Sequence, residues 1–354
     1  MIYLFFLLFS VALYAAYDKY KFSSSASILF LFPVIYFWIL IIGGQDNVGT
    51  DYNSYIDIFN SKDYKLLFYY NKGELLFYYL VQFCHVLGIS GQGIFYVFAA
   101  INVILYLVII KKIEVKYNCF FFILFITVST MFHTQMNGIR QCTAVYIITI
   151  ALLELYSGRK KQFLLYVIIA AGFHSSALFI LIFLLLYKIE IPTRYYRAFI
   201  LFSSILAFIS FDEILRLIIL KIPQFSHYAY SDYFANHVSL LNKITKLTTF
   251  PFYYFSIVLL KGNFFTSKHD SNLYKLGIYS YLLKTISIVS PVSYRFGHYF
   301  FILSLLPLYF YIIYLYRNKS IYLFVFAIAY LVSIYLIKIL LFPSGEYLYN
   351  STIF

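Results

Sequence analysis

Charged side chains are scarce in this sequence. They make up 12% of its 354 residues, whereas hydrophobic residues make up 63%. Ordinary globular domains have about 25% and 45–50% respectively. A water-soluble protein with so few charges would expose large apolar patches and aggregate. This scarcity excludes a soluble enzyme, a soluble nucleic-acid-binding domain and a disordered chain.

Cysteine is also rare, and the three residues, Cys84, Cys119 and Cys142, lie in or beside apolar segments. Their spacing is not that of a zinc site or of a disulfide framework. The sequence also lacks a Walker loop and a dinucleotide-binding fingerprint. Small buried side chains are therefore the expected role of the cysteines.

Long apolar runs recur along the whole chain, and a bilayer span needs only about 20 such residues. The runs do not alternate as the strands of a barrel would. The sequence therefore predicts an all-α integral membrane protein, a polytopic bundle of about 12 (11–13) transmembrane helices forming one membrane domain over 1–354. The predicted spans are 1–17, 28–44, 92–110, 118–132, 138–157, 161–172, 175–188, 197–210, 248–261, 274–290, 296–316 and 320–340.

The charge pattern sets the predicted topology. Lys and Arg outnumber Asp and Glu by 27 to 14, and they concentrate in alternate short loops such as 111–116 and 159–161. This is the pattern of cytoplasmic loops, and it accounts for the positive charge without a nucleic-acid partner. Lys19 and Lys21 follow the first apolar run, which predicts an external N-terminus. The short segment 75–87 is read as a re-entrant or interfacial helix, and a thirteenth span is the alternative.

Two long connections, 45–74 and 210–248, are expected outside the membrane. The first should carry a short interfacial helix, because apolar residues from Tyr52 onward recur at i, i+3, i+4 and i+7. Thr50 can cap this helix, and Asp51 lies at its positive end. Asp51 is then either a functional carboxylate or only part of the cap.

A second polar cluster is predicted at the outer mouth of a span. His133, Asn137 and either Arg140 or Gln141 are expected to share one helical face. An arginine just before a long apolar run is costly unless it snorkels, faces a polar cavity or meets an anion. Its planar fork suits phosphate.

Two further polar clusters are predicted on the same face. His174 lies in a tight turn, either as a structural hydrogen-bonding group or as a group that transfers a proton. Later in the chain, Ser290 followed by proline predicts the start of a helix. Tyr294, Arg295 and His298 follow within two turns, and an arginine near a positive helix end favours a bound anion. The four clusters together suggest a site for an anionic, lipid-linked substrate.

Five segments of the sequence form a pattern that is more specific than any one of them alone. They occur in order over most of the chain, and an aromatic segment in the second long loop, YAYSDYF at 228–234, fits the same pattern. The five segments are VGTDYNSYIDIF at 48–59, GELLFYYLVQFCHVLG at 73–88, NGIRQCTAVYIITIALL at 137–153, AAGFHSSALFILI at 170–182 and SYRFGHYFF at 293–301. Together they resemble the Wzy-type polysaccharide polymerases, in the EpsG-like branch.

The resemblance implies a glycosyltransferase of the bacterial cytoplasmic (inner) membrane. It would join oligosaccharide repeat units carried on undecaprenyl pyrophosphate at the external face, in O-antigen, capsule or exopolysaccharide biosynthesis. Membrane lipid surrounds such a protein, and a chain-length regulator and a flippase are candidate partners. No nucleotide, metal or other cofactor is expected.

On this hypothesis Arg140 and Arg295 bind the pyrophosphate and stabilise its charge as it leaves. Asp51 or His174 orients or deprotonates the acceptor hydroxyl. The expected substrate-binding residues are Thr50, Tyr52, Asn137, Gln141, Tyr294 and His298.

Two rival functions stay open at this point. A transporter or flippase of lipid-linked oligosaccharides would also need a basic cavity, but near the bilayer midplane and between repeated, broken helices. A membrane O-acyltransferase would also use a histidine, although its acyl donor usually comes from the cytoplasm.

Overall fold

The computed structural model describes residues 1–20, 24–61, 64–208, 216–217, 220–221, 240–260, 264–265, 267–351 and 353. Over these residues the chain is helical, and its one extended pairing is an isolated bridge between Gln45 and Ser351. The chain divides into two compact units. The first consists of residues 1–188 and 328–354, and the second of residues 189–327.

The first unit begins with two long apolar helices and continues with helices of very different lengths. In chain order they are α1 (Ile2–Tyr20), α2 (Ser24–Gly43), α3 (Tyr52–Asn60), α4 (Tyr64–Asn71), α5 (Leu75–Val86), α6 (Gln92–Ile113), α7 (Asn118–Leu124), α8 (Met131–Asn137), α9 (Ile139–Tyr156), α10 (Lys160–Phe173) and, after a 3₁₀ segment at Ser175–Ile182, α11 (Phe183–Leu186).

Helix α9 is the buried centre of the first unit, with 83% of its residues inside. It packs against α10 and α6. A chain of buried polar groups joins it to its neighbours: Thr143 Oγ1 donates to Asn102 Oδ1 (2.9 Å), and Asn102 Nδ2 donates to Gln135 Oε1 (3.3 Å). Buried side-chain hydrogen bonds of this kind fix how packed apolar helices are oriented.

The helical path is broken twice just before α9. A π-turn at Phe125–Ser129 and a left-handed Thr130 (φ 61°) separate α7 from α8, which bend by 50°. Helix α8 then ends at Asn137, and Gly138 leaves the helical conformation before α9 begins. The prediction that His133 shares one continuous face with Arg140 is therefore wrong.

The connection 45–74 contains two helices, α3 and α4. Its helix α3 begins at Tyr52, with Asp51 at the N-cap position and no side-chain cap bond. Thr50 Oγ1 instead donates to Asp51 Oδ1 (3.0 Å). The prediction that Thr50 caps this helix is wrong, because its hydroxyl is turned to the neighbouring carboxylate.

Helix α5 covers the segment whose crossing was uncertain. It has 12 residues, about 18 Å of helix, whereas the hydrocarbon core is about 30 Å thick. This length favours the re-entrant or interfacial alternative over a thirteenth straight span.

The C-terminal residues close back onto the start of the first unit. Asp46 N–H donates to the Asn350 carbonyl (2.9 Å), and Ser351 Oγ donates to the Gly44 carbonyl (2.9 Å). Tyr3 Oη donates to the Glu346 carbonyl (2.8 Å). These contacts tie the two sequence segments of this unit together.

The second unit contains a run of helices interrupted by 3₁₀ turns. The helix start predicted at Ser290 is confirmed, since Ser290 and Ser293 form a capping box with proline at the first helical position. The loop predicted at 210–248 lies mostly outside the described residues, as does its segment 228–234. The helices are α12 (Tyr196–Leu206), α13 (Leu240–Leu247), α14 (Phe250–Leu259), α15 (Lys268–Ile286), α16 (Pro291–Gly297), α17 (Leu306–Arg317) and α18 (Ile321–Leu336), whose end belongs to the first unit.

Helical residues lie over each of the twelve predicted apolar segments in the described part of the chain. Among the described residues, four helices are long and apolar enough to cross a membrane alone, and two bent pairs would raise that number to six. An all-helical chain with four to six candidate spans is consistent with a membrane protein, and the number of about 12 stays a prediction. The four are Ile2–Lys19, Gln92–Ile113, Ile139–Tyr156 and Ile321–Leu341.

Candidate functional site

A buried carboxylate, Glu74, lies at the centre of a polar cluster in the first unit. Its side chain is 0% exposed. Its Oε2 binds Nη1 of Arg140. Its Oε1 lies 3.2 Å from Lys72 Nζ, 3.3 Å from His174 Nδ1 and 3.3 Å from the backbone nitrogen of Ser175. Each oxygen therefore has its own partners, which fixes the orientation of the carboxylate.

Local backbone geometry explains why Glu74 points inward. The turn between α4 and α5 passes through Gly73, whose φ of 84° is accessible to glycine at little cost. The Glu74 N–H then donates to the Tyr69 carbonyl (2.9 Å), and α5 begins at the next residue. This turn places the carboxylate at the inner end of a short helical hairpin.

A second glycine brings His174 to this carboxylate. A Cβ atom on Gly172 would lie 2.7 Å from Cγ of Leu76, so α10 and α5 touch at this point. His174 follows as the residue after α10, and its extended backbone (φ −151°) ends that helix. The close approach permitted by Gly172 therefore sets the distance between His174 and Glu74.

Arg140 is held by rings as well as by charge. Its Cζ atom lies 4.2 Å from the ring centre of Tyr69, 5.3 Å from that of Phe77 and 6.0 Å from that of Tyr55. A guanidinium over aromatic faces gains cation–π energy while it keeps its N–H groups available. Arg140 Nε is buried and has no hydrogen-bond partner in the described part of the chain.

The loop before α3 contacts Asn137, the last residue of α8, close to the start of the helix that carries Arg140. Asn137 Oδ1 accepts from the Asp51 backbone N–H (2.8 Å) and from Thr50 Oγ1 (3.3 Å). Gly49 has a φ of 76°, and a Cβ atom there would lie 2.8 Å from Asn137 Oδ1. Asp51 is exposed, and its charge acts on Tyr69 together with those of Arg140 and Glu74. The loop is therefore part of the same cluster.

The charges of the cluster determine its protonation. Burial alone raises the pKa of Glu74, but the contact with His174 and the charges of Arg140 and Lys72 lower it to about 2. Burial lowers the pKa of His174; Glu74 opposes this decrease, whereas Arg140 and Lys72 add to it. At pH 7 Glu74 is therefore ionised and His174 is neutral.

The structure brings most of the predicted site residues of the first unit together. Thr50, Asp51, Asn137, Arg140 and His174 all belong to this cluster.

Two residues that the sequence placed in the polar clusters, Tyr52 and His133, contact other parts of the first unit. Tyr52 is buried, donates its hydroxyl to Gln92 Oε1 (2.8 Å) and stacks on Phe95. Its contacts are those of a packing residue, so its substrate-binding role stays a prediction, as does that of Gln141. His133 is buried elsewhere, with Nε2 3.0 Å from Tyr335 Oη.

The remaining predicted residues belong to the second unit. There the His298 ring centre lies 5.0 Å from that of Tyr294 and 4.8 Å from that of Phe301. The charges of Lys246, Arg295 and Lys284 all act on His298. This is a second positively charged region, and Lys246 Nζ lies 3.4 Å from the Tyr294 ring centre. Joint binding of one pyrophosphate by Arg140 and Arg295 stays a prediction.

Sequence reasoning missed Glu74 and Lys72. The signal was present, because Glu74 is an acidic residue directly before an apolar run, which is costly unless the charge is paired. Two of its partners, Arg140 and His174, are 66 and about 100 positions away along the chain, and no local pattern connects these residues to Glu74.

Metal binding has no obvious place in this cluster. Over the described residues, no three side chains among His, Cys, Asp and Glu come together as a candidate metal site. Two cations, Arg140 and Lys72, lie beside the buried Glu74 carboxylate, and the exposed Asp51 carboxylate lies at the edge of the same cluster. A largely buried guanidinium with an unpartnered Nε–H can donate to an anion, and a neutral histidine beside it can accept a proton.

Comparison with known proteins gives one match. The sequence model described as EpsG family matches residues 27–351. No curated protein and no solved structure matches the chain.

Proposed function

This chain belongs to the EpsG family, and from that membership and the geometry of the cluster we propose that it is a polysaccharide polymerase. Membership by itself suggests an exopolysaccharide or polysaccharide polymerase-like role. The finer proposal is that it joins undecaprenyl-pyrophosphate-linked oligosaccharide repeat units at the external face of the bacterial cytoplasmic membrane. The product would be O-antigen, capsule or exopolysaccharide.

The observation that supports this proposal most strongly is the setting of Arg140. Its guanidinium is fixed by Glu74 and by three aromatic rings, and its Nε–H remains unpartnered among the described residues. A preorganised cation of this kind stabilises charge that develops on a leaving group. In the proposed reaction that group is the lipid pyrophosphate.

The reaction needs one bond to form and one to break. The acceptor sugar hydroxyl attacks the anomeric carbon of the donor, and the bond between that carbon and the phosphate oxygen breaks. The electron pair of the broken bond leaves with the pyrophosphate, where Arg140 and Arg295 would stabilise it. The hydroxyl proton passes to a nearby base, for which Asp51 and His174 are the candidates.

The proposal includes a topology and partners. About 12 spans would form a single membrane domain over 1–354, with the N-terminus and the connections 45–74 and 210–248 outside. The cluster would then face the compartment in which lipid-linked repeat units are joined. A flippase would deliver these units, and a chain-length regulator would control the product.

Deletion of the gene with plasmid complementation tests the function. We expect loss of the long-chain polysaccharide ladder on a gel, while single repeat units still reach the surface. Repeat units trapped on lipid inside the cell would indicate a transporter instead. An unchanged ladder that lacks an acyl substituent would indicate an O-acyltransferase.

Arginine variants in the complementing plasmid test the pyrophosphate role. Arg140→Ala and Arg295→Ala should each nearly abolish the polymer while the amount of protein holds. Full activity in either variant would remove that arginine from the proposed mechanism.

A cysteine at Ser54 tests the orientation. Ser54 is exposed on α3, and the three native cysteines are buried, so they should add little background. Ser54→Cys should react with a membrane-impermeant thiol reagent in intact cells. Labelling only after permeabilisation would place this connection in the cytoplasm.

A further inference from the structure

We propose that Glu74 is a positioning residue for His174, and that His174 held in this way is the general base that accepts the proton of the attacking sugar hydroxyl. This inference rests on the proposed polymerase function and deepens it, because it chooses between the two candidate bases. Neither the family match nor the sequence motifs assign a role to Glu74.

The first argument concerns the ring nitrogens of His174. Nδ1 lies 3.3 Å from Glu74 Oε1, an ion-pair contact rather than an aligned hydrogen bond, and it has no hydrogen-bond partner among the described residues. A carboxylate at Nδ1 stabilises the tautomer that carries its proton there, which leaves a lone pair on Nε2. Among the described residues no hydrogen bond is made to Nε2, and the side chain keeps 16% exposure. The basic atom is therefore available to a substrate.

The second argument concerns the fixed position of Glu74. Its Oε2 is held by Arg140, and its Oε1 also accepts from the Ser175 N–H (3.3 Å). Because Ser175 is the residue after His174, the same oxygen holds the backbone and the ring of one turn. A carboxylate anchored from both sides cannot follow a rotating imidazole, so it restricts the ring to one orientation.

The third argument compares the two candidate bases. The Asp51 carboxylate already accepts a hydrogen bond from the Thr50 hydroxyl, and its backbone N–H is bound to Asn137. Asp51 therefore has the contacts of a residue that shapes the loop. The His174 imidazole, which is neutral at pH 7, in contrast offers an unprotonated ring nitrogen to a substrate hydroxyl.

The proposed step conserves atoms and charge. The hydroxyl proton moves to Nε2 as the sugar oxygen bonds to the anomeric carbon. The imidazolium formed on His174 is stabilised by Glu74, and the electron pair of the broken carbon–oxygen bond leaves with the pyrophosphate. His174 then returns its proton to the departed pyrophosphate or to water.

The pH dependence of kcat/KM distinguishes this role from a merely structural one. The charged groups that face His174 are Glu74, Arg140 and Lys72. Glu74 favours the protonated ring and Lys72 disfavours it. Glu74→Gln should therefore move the acidic limb of the profile to lower pH, and Lys72→Gln should move it to higher pH. Glu154→Gln, the same change at another buried glutamate, should leave the limb in place.

The measurement uses the full-length protein reconstituted in liposomes, with lipid-linked repeat units extracted from a strain that lacks this chain. His174→Gln should reduce kcat/KM by about 100-fold or more. The fold loss caused by Glu74→Gln should be smaller in the His174→Gln background than in the wild-type protein, because the part that acts through His174 is already gone.

Two outcomes would overturn the inference. One is an acidic limb that stays in place in both the Glu74→Gln and the Lys72→Gln variants. The other is a His174→Gln protein that polymerises at the wild-type rate. If Arg140→Ala still abolishes polymerisation in that case, the polymerase function stands and only the choice of base fails. Wild-type activity in all of these variants would remove the proposed site itself.

Discussion

The first unit holds two buried glutamates, and they lie near opposite ends of the same helix. At the N-terminal end of α9, Arg140 pairs with Glu74; in its last turn, Glu154 pairs with Lys112 and Arg159. Arg140 and Glu154 are about 21 Å apart along the helix. A cation in the first turn and an anion in the last both oppose the helix dipole, so each charge needs a partner.

The partners make the two ends different. Glu154 bridges two long cations, and the side chain of Arg159 is 50% exposed. This is a charged turn that ties helices together at a solvated edge. Glu74 in contrast joins a 15%-exposed arginine and a 16%-exposed histidine, surrounded by aromatic rings. Burial of a titratable base beside a fixed cation is the arrangement typical of a reacting site.

The largest expected difference is in stability. Glu74→Ala should lower the free energy of unfolding by about 3–5 kcal/mol, because it leaves the buried Arg140 charge uncompensated. Glu154→Ala should cost about 1 kcal/mol, since Lys112 and Arg159 can reach water. Thermal unfolding of the purified variants in detergent measures both. Equal losses would mean that the two pairs are equivalent.

A comparable effect on activity is expected from removal of the paired arginines. Arg140→Ala should reduce polymer formation by about 100-fold or more, the usual effect of losing one charge-stabilising donor. Arg159→Ala, which also removes a cation from a buried glutamate, should stay close to wild type. Polysaccharide gels with immunoblots for protein amount measure this. Similar polymer losses in both variants would contradict a specific role for Arg140.

Alanine substitutions at Gly172 and Gly158 should distinguish a steric clash from backbone strain. Gly172→Ala should cost about 2 kcal/mol and reduce polymer formation, because the added methyl meets Leu76 and pushes α5 from α10. Gly158→Ala meets no atom within 4 Å but keeps a φ of 81°. It should cost about 1 kcal/mol of backbone strain and leave activity unchanged. Polymer assays and unfolding midpoints of both proteins test this pair.

The smallest effect expected is a change in the pH dependence of stability. The pKa of His174 is lowered in the folded protein, so the unfolded chain takes up the proton first, and stability falls as pH drops below about 6.5. His174→Gln should remove up to about 1.4 kcal/mol of this loss per pH unit.

The loss of stability that is due to protonation of Glu74 occurs at lower pH, and it should remain in the His174→Gln variant. The Glu74 pKa of about 2 lies below its ordinary value of 4.5, so its contribution is complete above pH 4.5 and is lost as pH falls toward 2. Unfolding midpoints measured between pH 7 and 3 distinguish the contribution of His174 from that of Glu74. An unchanged slope below pH 6.5 in His174→Gln would contradict the neutral state of this histidine.

Local patterns in the sequence predicted much of the helical fold. Helices lie over the predicted apolar segments, and the start of α16 at Ser290 is confirmed by its capping box. Such features depend on neighbours in the chain, namely apolar runs and side chains within three residues of a helix end. The Thr50 cap failed because the hydroxyl had a second local partner, the Asp51 carboxylate.

The candidate site was predicted only in part. Arg140, His174 and Asp51 were visible as polar residues at the edges of apolar runs, where a charge or imidazole needs a reason to be present. Their common partner was not visible. The exclusion of His133 depends on a backbone break at Gly138 and on a ring contact with Tyr335.

The sequence by itself therefore determined the class of the protein, the positions of its helices and the residue types available for chemistry, because composition and periodicity are local properties. Only the tertiary structure decided which of these residues meet. The packing of α5 against α10 at Gly172 and the turn at Gly73 bring Glu74 between Arg140 and His174. Contacts between residues so distant in the chain depend on how the helices pack, because a residue's own segment does not specify the side chain that faces it.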